Sequence, residues 1–162
     1  MIIRPAELDD VPTIVAIYNE AVLTTTATAD EQPQALAHRQ AWFRDHQRGG
    51  LPVLVAEIDG AVVGWGSLSR FHARPAYRFT VEDSVYVAAD HRGRGVGRAL
   101  LTPLVARAAS LGMHNIMALI EAGNDASRRL HASLGFVECG LAPQVMFKFE
   151  RWLDLLWMQR RL

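Results

Sequence analysis

The sequence predicts an α/β fold: a single mixed, mostly antiparallel sheet with flanking helices and a central parallel strand pair. Its 162 residues fit one domain, residues 1–162. Half of the residues are hydrophobic and 21% are charged, which supplies enough apolar material for a core. The first half of the chain contains a hairpin pattern, and the second half alternates strand and helix patterns. Because a strand–helix–strand unit joins parallel strands, we expect the sheet to be mixed.

Turn and capping residues divide the first half into elements. Asp59-Gly60 between two apolar runs is typical of a two-residue hairpin turn. Asp9 or Asp10 can cap a helix whose first turn contains Pro12, and Gly49-Gly50 can end the next helix. The predicted elements are strands at 2–4, 52–58 and 61–67, a helix with an apolar stripe over 14–22, a helix at about 33–47, and irregular segments at 24–30 and 70–78.

The second half alternates between the two periodicities. β-branched residues alternate over 80–88 and predict a strand. A glycine-rich turn follows, and then a helix to about Ser110, in which Pro103 predicts a kink because proline lacks an N–H donor. The remaining predicted elements are strands at 115–121, 136–141 and 152–161, and a helix at 125–134.

Charge and cysteine content exclude several classes of protein. Lys plus Arg and Asp plus Glu both number 17, and a chain without net charge is not expected to bind nucleic acid. The single cysteine, Cys139, excludes an internal disulfide framework and a Cys-rich metal site, and the histidines show no metal-binding spacing, so we expect no metal. The first residues lack the apolar centre of a signal peptide, and no apolar run reaches membrane-spanning length. We therefore expect a cytoplasmic protein with no membrane partner.

The turn after the fourth predicted strand contains three glycines at alternate positions, Gly93, Gly95 and Gly97. Backbone N–H groups at the start of a helix attract phosphate, so this turn is a candidate phosphate-binding loop. A dinucleotide fingerprint is excluded because position 98 is not glycine, and the Walker sequence is absent. From the residues alone, a plain helix-capping turn remains an alternative. Positive charge is added by three flanking arginines: Arg92, Arg94 and Arg98.

Two motifs carry a family resemblance. Arg92-x-x-Gly95-x-Gly97 after a strand resembles the pyrophosphate-binding motif of the GCN5-related N-acetyltransferases. The stretch 124–136, which reads Asn-x-x-Ser-x-x-Leu-His-x-x-x-Gly-Phe, is similar to a later helix-to-strand motif of the same superfamily. The segments 80–87, 143–145 and 148–154 resemble the phosphinothricin and methionine sulfone/sulfoximine acetyltransferases. This resemblance covers nearly the whole chain.

The resemblance implies an acetyl-CoA-dependent N-acetyltransferase that acts on a small amino-acid-like compound and forms a homodimer. It implies that backbone groups of the fourth strand bind pantetheine and that the glycine turn binds pyrophosphate. Asn124 would reach the pantetheine arm, and Ser133 would touch the end of the cofactor. The cofactor-binding residues implied in the strand and the turn are Val85, Tyr86, Val87, Arg92, Gly93, Arg94, Gly95, Val96, Gly97 and Arg98.

Glu82 is the candidate general base. Acetyl transfer requires an uncharged amine, and a nearby carboxylate can accept the proton of the ammonium form. Strand alternation places Glu82 on the same face as Ser84 and Tyr86, and the matching glutamate is the proposed base of the resembled family. The alternative is a glutamate at the strand edge that pairs with Arg78.

His131 is the candidate acid for the departing thiolate of coenzyme A, again by resemblance. Asn124, Ser127 and His131 are spaced i, i+3, i+7 and so share one face of a helix. An imidazole can donate a proton near neutral pH. The alternative is a histidine that only packs beneath the sheet.

The acceptor is less well determined by the sequence. Arg74 and Arg78 can bind an α-carboxylate, and Phe71 and His72 would line the acceptor pocket. The segments 69–72 and 28–30 depart from the family pattern. A polyamine, a peptide N-terminus or another antibiotic therefore remain alternative acceptors. A non-catalytic acyl-CoA sensor is a further alternative, although a sensor would need neither candidate catalytic residue.

Overall fold

A computed structural model describes residues 1–162 and contains seven strands and four α-helices. Three short 3-10 turns, at Leu8–Asp10, Pro75–Tyr77 and Ala89–His91, connect some of them. The strands are β1 (Ile2–Pro5), β2 (Val53–Ile58), β3 (Ala61–Arg70), β4 (Thr80–Val87), β5 (Asn115–Glu121), β6 (Val137–Lys148) and β7 (Arg151–Arg161). The helices are α1 (Val11–Thr24), α2 (Leu36–Gly49), α3 (Val96–Ser110) and α4 (Asp125–Ala132).

The seven strands form one sheet in the order β1-β2-β3-β4-β5-β7-β6. Only β4 and β5 are parallel, and every other neighbouring pair is antiparallel. The predicted mixed sheet with a central parallel pair is therefore confirmed. The parallel pair arises because α3 connects β4 to β5 as a crossover.

Two helical layers cover the sheet. α1 and α2 pack on one face, where Ile14 and Phe43 surround Trp65 of β3. On the other face, α3 contributes Leu104 to the largest apolar cluster. The helix approaches β3 closely because Gly66 has no side chain: a Cβ atom there would lie 2.9 Å from Leu104 Cδ1.

The two parallel strands pair over a short distance and then separate. Their register is Thr80 with Asn115, Val81 with Ile116 and Glu82 with Met117. β4 then continues to Val87, and β5 to Glu121, without pairing to each other. The separation leaves backbone N–H and C=O groups of β4 without strand partners, and it opens a cleft directly after Glu82.

Some predicted boundaries were wrong. β6 runs to Lys148, whereas the prediction ended it at Leu141. The extension pairs with β7 beyond a register shift between Ala142 and Met146, which the alternation pattern could not reveal because Pro143 lies inside it. The predicted end of α3 is confirmed, since the helix continues through Pro103 to Ser110. None of the four helices combines the length and the apolar composition that a membrane span requires.

Candidate active site

The cleft between β4 and β5 is a cavity of about 730 Å³. The open part of β4 forms one wall, and Leu119 and Glu121 of β5 lie opposite. The glycine turn before α3 and the first turn of α4 close the ends. Because β4 and β5 have no partner strand within the cleft, an extended ligand can bond to their free backbone groups.

The glycine turn adopts a conformation that favours glycine. Gly93 and Gly95 have φ angles of 73° and 81°, in the left-handed region. Gly95 is the N-cap of α3, and no side chain caps this helix. A Cβ atom at either glycine would meet nothing within 4 Å, so the space in front of the helix is open. Its first N–H groups lack intrahelical partners and are therefore available to an anion such as a pyrophosphate.

Most of the predicted cofactor residues meet in this cleft, and two do not. Arg94 and Ser133 lie outside the lining, although Ser133 Oγ accepts a hydrogen bond of 3.0 Å from Arg98. Arg92 donates to the carbonyl of Val87, at 3.0 Å, and so fixes the start of the turn against the end of β4. The predicted residues that line the cleft are Val85, Tyr86, Val87, Arg92, Gly93, Gly95, Val96, Gly97, Arg98 and Asn124.

Asn124 has a structural contact of its own. Its side-chain oxygen accepts a hydrogen bond of 3.1 Å from the backbone N–H of Ser127 and caps α4. The cap orients the first turn of the helix toward the cleft. Asn124 therefore lines the cavity and also fixes the helix that carries His131.

Glu82 stands where the cofactor cleft meets a second cavity. This cavity has a volume of about 430 Å³ and lies between the sheet and the helices α1 and α2. Glu82, Ser84 and Tyr86 line both cavities, so the predicted shared face of these three residues is confirmed. Burial raises the pKa of Glu82, and the adjacent charge of Asp83 raises it further. A carboxylate with a raised pKa is a stronger base for an amine proton.

Arg78 does not pair with Glu82. Its guanidinium group lies over the ring of Phe79, 4.5 Å from the centroid, and donates to the carbonyl of Pro75 at 3.3 Å. The alternative assignment of Glu82 as the partner of Arg78 is therefore wrong for this structure.

His131 is buried, and both of its ring nitrogens are engaged. Nδ1 lies 2.8 Å from the carbonyl oxygen of Ser127, and Nε2 lies 3.0 Å from Asp83 Oδ2. Burial lowers the pKa of His131, but the hydrogen bond and the charge of Asp83, with the bond to Ser127, outweigh it and leave the pKa raised. The ring therefore tends toward the imidazolium form, with one proton directed at Asp83.

Asp83 was missed by the sequence analysis. It lies on the face of β4 opposite Glu82 and is buried, so strand alternation sends neighbouring carboxylates to different sides of the sheet. An acidic residue in the middle of a β-branched strand was the available signal.

The predicted acceptor residues line neither cavity. Phe71, His72, Arg74 and Arg78 all lie in the link between β3 and β4. The link leaves β3 directly beside the candidate base, because Ser69 pairs with Glu82. The second cavity is instead lined by side chains that the prediction did not include as site residues: Tyr18, Arg39, Trp42 and Trp65. Arg39 shares the buried face of α2 with Phe43 and His46, and an arginine on an otherwise buried face was the signal for it. No group of three or more His, Cys, Asp or Glu side chains is arranged to hold a metal ion.

A profile of the acetyltransferase (GNAT) family matches residues 14–136. The chain belongs to the GNAT acetyltransferase family. It is an N-acetyltransferase that uses acetyl-CoA.

The chain is similar to three other acetyltransferases over nearly its whole length. An L-methionine sulfoximine/L-methionine sulfone acetyltransferase of Pseudomonas aeruginosa is 50% identical over 99% of this chain and 94% of its own length. A phosphinothricin acetyltransferase of Sinorhizobium meliloti, solved in complex with acetyl-CoA, has a TM-score of 0.97 and 41% identity, covering 99% of this chain and 88% of its own. The structure of a ribosomal-protein-alanine N-acetyltransferase from Brucella melitensis has a TM-score of 0.98 and 48% identity, with both chains fully covered.

The glycine turn can be tested with Gly95→Asp. The substitution places a negative charge in the open space before α3 and strains a left-handed residue. We expect calorimetry to show the loss of most acetyl-CoA affinity in this GNAT enzyme. Gly60→Asp is the matched control, since Gly60 has a φ of 80° and equally open surroundings in the β2–β3 turn. Full affinity in a folded Gly95→Asp variant would contradict the assignment of the turn.

The Asp83–His131 pair predicts a pH-dependent stability. A raised folded pKa means that protonated His131 stabilises the fold fully below its unfolded pKa of about 6.5. This contribution is lost as the pH rises through the folded value. Asp83→Asn is therefore expected to lower the free energy of unfolding most at about pH 6, and less above the folded pKa of His131. Urea unfolding of the wild type and of Asp83→Asn, from about pH 6 to a pH above the folded pKa of His131, measures the difference in the free energy of unfolding. Asp125→Asn, at an exposed position of α4, should show no such trend, and an Asp83→Asn effect that is constant with pH would refute the pairing.

Proposed function

We propose that this acetyltransferase acetylates the α-amine of a small amino-acid-like compound of the methionine sulfoximine, methionine sulfone or phosphinothricin type. One observation carries the proposal: Glu82 stands at the junction of two cavities. The larger one has the features of a nucleotide-thioester site. The smaller one has the volume of a small-molecule site and contains both a cation and aromatic rings.

The chain's own residues supply binding and proton transfer. Backbone groups of Val85 and Val87 hold the pantetheine arm along the open edge of β4, and the turn at Gly95 holds the pyrophosphate. Acetyl-CoA supplies the activated acyl group. Glu82 accepts a proton from the ammonium group of the acceptor and releases it to solvent, and the freed nitrogen lone pair attacks the thioester carbon to form the new N–C bond. Glu82 then takes the second nitrogen proton as the C–S bond breaks and coenzyme A leaves as the thiolate.

His131 remains the proposed source of the proton for the departing thiolate. Its position supports this role in one respect, because it lines the cofactor cleft. The contact with Asp83 adds a condition: the Nε2 proton points toward that carboxylate, so donation requires the ring or the thiolate to reach this proton. A buried imidazolium also favours negative charge on a nearby sulfur.

The Brucella melitensis relative favours a second candidate acceptor, the N-terminal alanine of a protein. The cavity beside Glu82 would then receive only the terminal residue, and the polypeptide would have to leave it. The two acceptors differ in whether a free α-carboxylate is present.

Homodimer formation and a cytoplasmic location also stay predictions. The edge strand β6, the turn that follows it and the start of β7 support the dimer, because they expose apolar side chains that a second copy could cover. The exposed residues are Val145, Phe147, Phe149 and Trp152.

Glu82→Gln tests the base. The variant keeps the shape of the side chain but cannot take a proton, so turnover should fall by roughly 10²–10⁴-fold with acetyl-CoA affinity unchanged. In the wild type, kcat/KM should fall as the pH drops through the raised pKa of Glu82, and this acidic limb should be absent from the variant. Glu138→Gln, at an exposed position on β6, is the control. Wild-type turnover in Glu82→Gln would show that transfer needs no base at this position.

A comparison of acceptors tests the substrate class. Thiol release from acetyl-CoA would be measured with methionine sulfoximine, its methyl ester, spermidine and a peptide that begins with alanine. The free amino acid should react fastest, and Arg78→Ala should raise its KM if the link between β3 and β4 binds the carboxylate. If the ester or the peptide reacts as fast as the free amino acid, the proposed substrate class is wrong and the acceptor is another amine.

A further inference from the structure

The second cavity contains a buried arginine that the chemistry above does not use. Arg39 lies on α2 and is 5% exposed. Its guanidinium carbon lies 4.2 Å from the centroid of the Tyr18 ring, 4.7 Å from that of Trp42 and 5.4 Å from that of Trp65. Arginine is almost never buried to this degree unless its charge is paired.

No carboxylate forms a salt bridge with this guanidinium. Nε is buried and has no hydrogen-bond partner, and Arg39 forms no salt bridge with any carboxylate. The faces of the surrounding rings attract the cation, but they accept no hydrogen bonds from the N–H groups, which point outward in the plane of the guanidinium. Burial lowers the pKa of Arg39, yet a guanidinium keeps its proton at physiological pH. The cavity therefore contains a buried positive charge without a salt-bridge partner.

The other acidic groups of the cavity are already engaged. Asp30 accepts hydrogen bonds from Tyr18, at 2.8 Å, and from Gln34, at 2.6 Å. Both carboxylate oxygens of Glu121 accept hydrogen bonds as well. Arg39 and Glu82 are groups of opposite charge in this cavity that can bind a ligand.

Arg39 and Glu82 are not close neighbours. Arg39 lies over Trp65, which pairs with Tyr86, four residues along β4 from Glu82. Four residues of a strand span about 13 Å. In an amino acid the α-carboxylate is attached to the same carbon as the amine, so it stays close to Glu82 when the amine does. A ligand group that reaches Arg39 while the amine faces Glu82 must therefore lie further along the side chain.

We infer that Arg39 binds the polar end of the acceptor side chain, a tetrahedral sulfone, sulfoximine or phosphinate group. This inference rests on the proposed function. Each of these groups presents two acceptor atoms on one centre, and the planar fork of a guanidinium can donate two parallel hydrogen bonds to them. The rings of Tyr18 and Trp42 provide apolar surface for the methylene groups of the ligand. A thioether offers no such acceptor, so Arg39 distinguishes methionine sulfone from methionine.

Binding of methionine sulfone and of methionine, measured by calorimetry with coenzyme A present, tests the inference. Arg39→Met should weaken sulfone binding by about 10- to 100-fold and leave methionine binding nearly unchanged, because only the sulfone loses charge-assisted hydrogen bonds. Arg39→Lys keeps the charge without the fork and should give an intermediate loss. Arg44→Met is the matched control, since Arg44 is an exposed arginine on the same helix.

An equal loss for both ligands, or no loss for either, would overturn the inference. Unchanged coenzyme A affinity verifies that each variant is folded. If Arg39→Met does not fold, the comparison of the two ligands is made with Arg39→Lys. Thiol release separates this inference from the proposed function. Sulfone that binds through Arg39 without being acetylated would refute the function alone, and sulfone that is acetylated without dependence on Arg39 would refute the inference alone.

Discussion

The separation of β4 from β5 after Glu82 is the constraint on which the rest of the structure depends. Three residue pairs join the two strands, and beyond them each strand keeps its outer antiparallel partner, β3 or β7. The sheet therefore stays continuous at one end while it opens at the other. The opening supplies free backbone groups for a thioester ligand and places the glycine turn at its mouth.

The alternation of side chains along β4 places different functional groups on the two faces of the sheet. Glu82, Ser84 and Tyr86 border the cavity beneath α1 and α2, where the proposed acceptor binds. Asp83 lies on the opposite face and contacts His131 of α4. Two adjacent carboxylates thereby acquire different environments: Glu82 borders both cavities, and Asp83 is held against an imidazole.

The aromatic layer beneath α2 links stability to recognition. Trp65 and Tyr86 stack with ring centroids 4.9 Å apart, and Tyr18 and Trp42 pack at their edges. The same rings contact a buried cation, Arg39, that forms no salt bridge with a carboxylate. A packed core of this kind holds Arg39 in one position, and a fixed cation can discriminate between side chains that differ by two oxygen atoms.

The sequence by itself determined the mixed sheet, the glycine turn and the position of Glu82, because each depends on local periodicity or on the special conformations of glycine. The extension of β6 past Pro143 could not be predicted in this way, since it is held by pairing with a distant strand. The tertiary structure alone decided which side chains meet. It brought Asp83 to His131 across 48 positions, and it enclosed Arg39 among rings from α1, α2 and β3. Except for the contact between Arg39 and Trp42 within α2, these contacts join residues far apart along the chain, and only the packing of helices onto the two faces of the sheet brings them together.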